Sequence, residues 1–302
     1  MSETENSVSW LHRFGSLVAV MAFLLYMTGV LASSTGAGLF ELSVGGAGRL
    51  STIPPNKYVH IFVFLAITVA ALTLALALLL WKSNAHRYLK NLGFITIGVF
   101  LAFALVMLTP ARHMFPTAVS FGYTCGIQIF FCLTVCLALF TRTDWRWDEP
   151  KVPDLKSPSM RQILVFTTTA VFVEPLLGEG FRRKALGMAP HLVLGIAVVV
   201  CSLWVLEMAL TKFPFLRTFK ISAVFLAEVV GLQFFFGLIS YSMNLNARAA
   251  SDRLPGLVVM NVTHAAVGAL VLATCLFVTC QAFKYFAPPD SLASSTRHDD
   301  HQ

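Results

Sequence analysis

The chain has 302 residues, of which 57% are hydrophobic and only 12% are charged, and its formal net charge is +7. Soluble globular domains carry roughly a quarter charged residues, so this composition excludes an ordinary soluble domain. The positive charge is spread over the short connections between hydrophobic runs. That pattern is typical of loops that set membrane orientation, and it does not indicate nucleic-acid binding.

Eight hydrophobic runs, each long enough to cross a bilayer as a helix, follow one another along the chain. They cover residues 14–33, 57–81, 89–109, 115–141, 161–178, 188–211, 219–243 and 255–284. The sequence therefore predicts an all-α integral membrane protein with eight transmembrane helices. Lys and Arg favour the N-terminus, the connections after the second, fourth and sixth runs, and the C-terminus. We expect those parts, both termini included, on the cytoplasmic side. The N-terminal segment is not Arg-rich and its first run is too long for a cleaved signal, which favours a bacterial inner membrane.

The connection 142–160 divides the runs into two sets of four. It is the longest cytoplasmic connection, and it is rich in Pro and charged residues. Two sets joined by such a linker predict two pseudo-symmetric four-helix bundles, over residues 1–141 and 161–286. Residues 287–302 are polar and are expected to be disordered. All six cysteines lie within hydrophobic runs, and we interpret them as packing residues.

Histidines inside the hydrophobic runs are the main functional candidates, because ionisable groups in a membrane are costly. His191 and His264, in the outer halves of the sixth and eighth runs, are each followed four residues later by a glycine, Gly195 and Gly268. Residues i and i+4 share a helix face, so each glycine leaves room beside an imidazole for a large flat ligand. The pattern predicts a haem with His191 and His264 as axial ligands. The alternative is that the two histidines only hydrogen bond between helices.

The first set of runs departs from this pattern. His60 lies in the outer half of the second run, but Phe64 stands four residues after it. In the fourth run, Tyr123 occupies the depth at which a second histidine is expected. Tyrosine is able to ligate ferric haem iron, although a membrane tyrosine more often packs or hydrogen bonds. His60 is accordingly either a lone ligand with an open sixth position or a remnant of a lost site.

Charged residues within and beside the second set of runs are further candidates. Arg182 and Arg183 precede the sixth run on the outer side, where they either pair with haem propionates or contact lipid headgroups. Glu174 precedes Pro175 and is expected to satisfy backbone groups that the proline leaves free. Glu228, in the middle of the seventh run, is either buried polar glue between helices or part of a proton relay.

Several segments resemble haem A synthases, the family that makes haem A for cytochrome oxidase. The matching segments are MTGVLASSTGAGL (27–39), EPLLGEGFRRKALGMAPHLVLG (174–195), LQFFFG (232–237) and LPGLVVMNVTHAAVGALVLAT (254–274). SFGYTCGIQIFFCLTVCLALFT (120–141) resembles the fourth span, with Tyr123 in place of the family's histidine. The resemblance extends over residues 10–285 and is closer in the second half.

This resemblance implies an eight-helix protein whose second bundle binds haem b through His191 and His264, with Arg182 and Arg183 beside the cofactor. It implies that the first bundle oxidises a methyl group of haem O, its substrate, to the formyl group of haem A. His60 matches the first of the two histidines of that catalytic site. The implied partners are the haem O synthase, which is a farnesyltransferase, and the cytochrome oxidase assembly machinery.

The first outer loop lacks the family's Cys pair and its Pro-Asp-Trp-Pro signature, and Glu41 is its only carboxylate. These departures leave two main hypotheses. The chain is a haem A synthase-like oxidoreductase, or it is a non-catalytic haem b-binding paralogue in oxidase assembly or membrane electron transfer. A haem-free transporter or scaffold is the third.

Overall fold

A computed structural model describes residues 3–35, 43–44, 50–51, 57–108, 115–145, 150–154, 157–247 and 255–287. Its helices are α1 (Glu3–Ser34), α2 (Lys57–Lys82), α3 (Arg87–Leu108), α4 (Pro116–Phe140), α5 (Met160–Arg182), α6 (Ala189–Thr211), α7 (Arg217–Ala247) and α8 (Pro255–Tyr285). Each of the eight contains a segment long and apolar enough to cross a membrane. The chain is therefore a multi-pass, all-α membrane protein, and this prediction is confirmed.

A short antiparallel hairpin lies in the connection between α1 and α2. Strands β1 (Ser43–Val44) and β2 (Leu50–Ser51) pair Ser43 with Ser51 and Val44 with Leu50. Glu41, the only carboxylate of this loop, lies outside the described residues, as does the predicted disordered tail from residue 288 onwards.

Helix α5 extends beyond the predicted end of the fifth run. It begins with a capping box, in which the Ser159 hydroxyl accepts from the Gln162 N–H and the Gln162 side chain accepts from the Ser159 N–H. It passes through Pro175 and ends at Arg182, so Gly178 and Gly180 are helical. Glu179 forms ion pairs with Arg182 and Arg183, three and four residues later, and these pairs stabilise the last turn.

Each half of the protein is a ring of four helices. In the first ring α1 and α3 each pack against α2 and α4, and in the second α5 and α7 each pack against α6 and α8. The cyclic order is the same, so α1 to α4 are equivalent to α5 to α8. The two rings meet through the pairs α1–α8, α4–α5 and α4–α8. The pair α1–α8 corresponds to the pair α5–α4, which is the relation that a pseudo-twofold axis produces.

The connection between the rings is bound to the C-terminal end of α8. The Val152 N–H donates to the Tyr285 carbonyl at 2.7 Å, and the Ala287 N–H donates to the Val152 carbonyl at 2.9 Å. Nearby, Arg142 donates two hydrogen bonds to Asp144, which lower the pKa of that carboxyl group. The predicted linker is thus fixed to the second ring at this point.

Candidate functional site

His191 and His264 lie together in the second ring. His191 is on the first turn of α6 and His264 is on α8, and their ring centroids are 6.3 Å apart with an interplanar angle of 82°. Both side chains line one cavity. The structure therefore brings together the two histidines that the sequence singles out, although they are 73 residues apart in the chain (264 − 191).

The cavity has a volume of about 370 Å³ and is enclosed by α5, α6, α7 and α8. Ligand pockets of drug-sized molecules span roughly 300–1,000 Å³. Its lining is mostly aliphatic and aromatic, and the polar side chains on it are Glu174, His191, Gln233, Tyr241 and His264. Leu192 on α6 and Leu238 on α7 also line it, and they are 40% and 49% exposed. The cavity thus opens between α6 and α7 towards the surface that would face lipid.

Glycines shape this cavity in two ways. A Cβ atom at Gly195 would have Glu174 Oε1 as its nearest neighbour, at 3.7 Å, so Gly195 leaves open space as the sequence predicts. A Cβ atom at Gly268 would instead lie 2.9 Å from Gln233 Nε2. Gly268 therefore makes room for the glutamine side chain. Gly237 likewise makes room for His264, because a Cβ atom added at Gly237 would lie 3.0 Å from His264 Cε1.

His191 is held by Glu174. The imidazole Nδ1 lies 2.9 Å from the carboxylate Oε1 and 3.2 Å from the backbone carbonyl of Glu174. Both side chains are largely buried, at 15% and 16% exposed. A partner on Nδ1 fixes the ring orientation and leaves Nε2 for a ligand. The expectation that Glu174 serves backbone groups freed by Pro175 did not include this contact with the His191 side chain.

His264 has a weaker set of partners. Its Nε2 lies 3.5 Å from the Gln233 side-chain nitrogen, at the limit of a hydrogen bond. Its Nδ1 and the Gln233 Oε1 are both buried, and neither has a hydrogen-bond partner among the described residues. Buried polar atoms without partners are rare and costly. A water molecule or the polar atoms of a ligand in the cavity would satisfy both of them.

A haem fits this donor set better than a bare metal ion. In the described part of the chain, no group of three or more His, Cys, Asp or Glu side chains is arranged to hold a metal. Two imidazoles alone suit a metal that arrives with its other ligands already in place, as haem iron does.

Arg182 and Arg183 do not line the cavity. Both pair with Glu179, which is only 7% exposed, at 2.6 Å from Arg182 and 2.9 Å from Arg183. Arg182 also donates to Ser33 on α1 at 3.1 Å, and Arg183 donates to Ser120 on α4 at 3.0 Å. The two guanidinium groups thus join α5 to the first ring, a role that neither the propionate nor the headgroup interpretation included.

The first ring does not bring His60 and Tyr123 together. His60 is exposed on α2, whereas Phe62, two residues later, faces Tyr123 with ring centroids 6.2 Å apart. Phe62 and Tyr123 belong to one apolar cluster with Tyr26, Phe130 and other residues of the ring. His60 therefore points away from the position that is equivalent to the His191–His264 site.

No protein-family model matches the chain, and no curated protein matches it significantly. The indications of function are therefore the geometry of the second ring and the segments that resemble haem A synthases. Glu174 and Gln233 are the site residues whose contacts the sequence did not reveal. The available signal was that both are polar residues within hydrophobic runs.

Proposed function

We propose that the chain is a membrane haemoprotein that binds one haem b in its second ring, with His191 and His264 as axial ligands. The observation that carries the proposal is the meeting of two imidazoles from α6 and α8 across one largely apolar cavity. Bound haem supplies one-electron chemistry at its iron. The unpartnered atoms of His264 and Gln233 and the open face of Gly195 support a large ligand at this place.

The residues of the chain have distinct tasks in this proposal. Glu174 orients His191 so that Nε2 points away from the carboxylate. The aliphatic lining excludes water and keeps the local dielectric constant low. If His191 and His264 both held the iron of a bound haem, no ligand position would remain for oxygen, which would suit electron transfer. Among the two main hypotheses, this arrangement favours the haem b-binding paralogue in oxidase assembly or membrane electron transfer.

Oxidation of a haem O methyl group to give haem A is the second candidate function. The shared cyclic order of the two rings favours it, because it provides an equivalent position in the first ring. The exposure of His60 and the aromatic filling around Tyr123 count against it. In either case the resemblance implies work beside the haem O synthase and cytochrome oxidase assembly. The membrane we propose is a bacterial inner membrane, and the Lys and Arg distribution supports an orientation with both termini in the cytoplasm.

Difference spectra of the purified protein test haem binding. We expect reduced-minus-oxidised spectra with the bands of a low-spin haem b, and one haem per chain in a pyridine haemochrome assay. Protein purified after expression with haem biosynthesis blocked serves as the control. A monodisperse, folded preparation without haem bands would reject the proposal.

Haem extraction separates the two candidate functions. Aerobic cells that make haem O but no haem A are compared with and without this protein. The paralogue hypothesis predicts that haem O persists in both cultures. Accumulation of haem A only in cells with the protein would establish the oxidoreductase and assign a catalytic role to the first ring.

A further inference from the structure

The two histidines differ in the partner of their Nδ1 atoms. His191 Nδ1 contacts the Glu174 carboxylate at 2.9 Å. His264 Nδ1 is buried and has no hydrogen-bond partner among the described residues. The site therefore offers one imidazole with an anionic partner and one without.

The charge of Glu174 is not balanced by a cation at the cavity. The lining contains no Lys or Arg side chain in the described part of the chain. Arg182 and Arg183, the nearest basic residues along α5 and its end, pair with Glu179. Glu174 consequently acts on His191 and on whatever binds beside it without local neutralisation.

An anionic partner changes a metal-bound imidazole in two ways. A carboxylate that accepts the Nδ1 hydrogen increases the electron donation of the ring to the metal. A fixed negative charge in a medium of low dielectric constant also stabilises the more positive of two metal states. Both effects favour ferric over ferrous iron, so they act in the same direction.

We infer that Glu174 is a positioning residue that lowers the reduction potential of the haem through His191. The inference rests on the proposed function, since it requires that His191 ligates a haem. It makes His191 the stronger electron donor of the two axial ligands and gives the site a low potential. The quantity concerned is the one-electron midpoint potential that a bound haem would have, and no bond is made or broken in the protein.

An anaerobic redox titration of purified holoprotein tests the inference. Glu174→Gln keeps the shape and an acceptor oxygen but removes the charge. We expect an equilibrium constant for reduction at least tenfold larger, a rise of about 59 mV in a one-electron midpoint potential. Glu228→Gln is the matched control, because it removes the same charge from an exposed position on α7 that does not line the cavity.

Each outcome decides the question. A Glu174→Gln potential that equals that of Glu228→Gln overturns the inference. If Glu174→Gln purifies without haem, Glu174→Asp replaces it. Aspartate is shorter by one methylene group, so its carboxylate lies farther from His191. The midpoint potential must then still rise, and the equilibrium constant for reduction must increase less than tenfold. An unchanged midpoint potential in Glu174→Asp, or loss of haem from both variants, contradicts the inference that Glu174 lowers the potential. A parent protein without haem instead rejects the proposed function itself.

Discussion

The two rings use the same helix order to enclose different interiors. In the second ring, His191 and His264 face a cavity of about 370 Å³. At the equivalent helices of the first ring, α2 and α4, Phe62 faces Tyr123, and Phe100 on α3 packs on Phe130 of α4 with centroids 5.0 Å apart. One ring keeps space beside its polar groups, and the other fills the corresponding space with aromatic side chains.

The glycines explain how one architecture supports both interiors. In the first ring a Cβ atom at Gly29 would collide with the Tyr123 hydroxyl, and one at Gly126 would collide with the Phe103 ring. These glycines make room for aromatic side chains of the protein itself. In the second ring, Gly195 leaves space that no described side chain occupies within 3.7 Å. A small residue thus indicates a ligand site only when no large neighbour uses the room that it leaves.

Removal of either histidine should have the largest effect. We expect His191→Ala and His264→Ala each to abolish the low-spin haem b spectrum, because each deletes one axial ligand. His60→Ala and Tyr123→Phe are the matched controls in the first ring and should leave the spectrum unchanged. Optical and EPR spectra of the four purified variants make the measurement. If Tyr123→Phe removes the signal instead, the ligand site lies in the first ring and the comparison is reversed.

Filling the cavity should have the next largest effect. In Gly195→Leu the side chain projects into the cavity without a backbone clash, and we expect haem affinity to fall about tenfold, a loss of about 1.4 kcal/mol of binding free energy. Gly231→Leu on α7 is the control, because a Cβ atom there meets nothing within 4 Å and Gly231 does not line the cavity. Haem titration of apoprotein gives both affinities. Equal affinities would show that the cavity is not the haem site.

Truncation of an aromatic side chain should lower the free energy of unfolding more in the first ring than in the second. Phe130 is 1% exposed, so Phe130→Ala leaves a void, and we expect a loss of about 3 kcal/mol of unfolding free energy. Phe234 lines the cavity and is 36% exposed, so Phe234→Ala should cost less than about 1 kcal/mol. Unfolding in mixed detergent micelles measures both values on apoprotein. Similar losses would contradict a packed first ring beside a hollow second one.

The sequence predicted the eight helices because each hydrophobic run is long and uninterrupted. It did not predict which way His60 points, since a helix that is apolar on all sides carries no periodic signal for its buried face. The contacts of Glu174 with His191 and of Gln233 with His264 join residues 17 and 31 positions apart on different helices, and no local pattern encodes them.

The pairing of Glu179 with its arginines was accessible from the sequence, because Arg182 and Arg183 follow it at helical spacing. The predicted fifth run ends at residue 178, whereas α5 ends one helical turn later at Arg182. The prediction therefore places Glu179 and both arginines in a loop, where helical spacing carries no information about pairing.

The smallest expected effect lies at the turn that leads from α5 to the histidine of α6. Lys184 adopts φ = 59°, in the left-handed region, and the N–H groups of Ala185 and Leu186 donate to the Gly180 carbonyl at 2.9 and 3.1 Å. A residue with a Cβ atom pays about 1–2 kcal/mol for this conformation. Glycine avoids this cost, but its greater backbone entropy in the unfolded chain offsets part of the gain. We therefore expect Lys184→Gly to stabilise the apoprotein by about 0.5–1 kcal/mol. Lys184→Ala removes the same charge but keeps the Cβ atom and should give no such gain.

Because Lys184 does not line the cavity, haem affinity should be equal in both variants. A change in affinity with Lys184→Gly would show that the geometry of this turn controls where His191 lies.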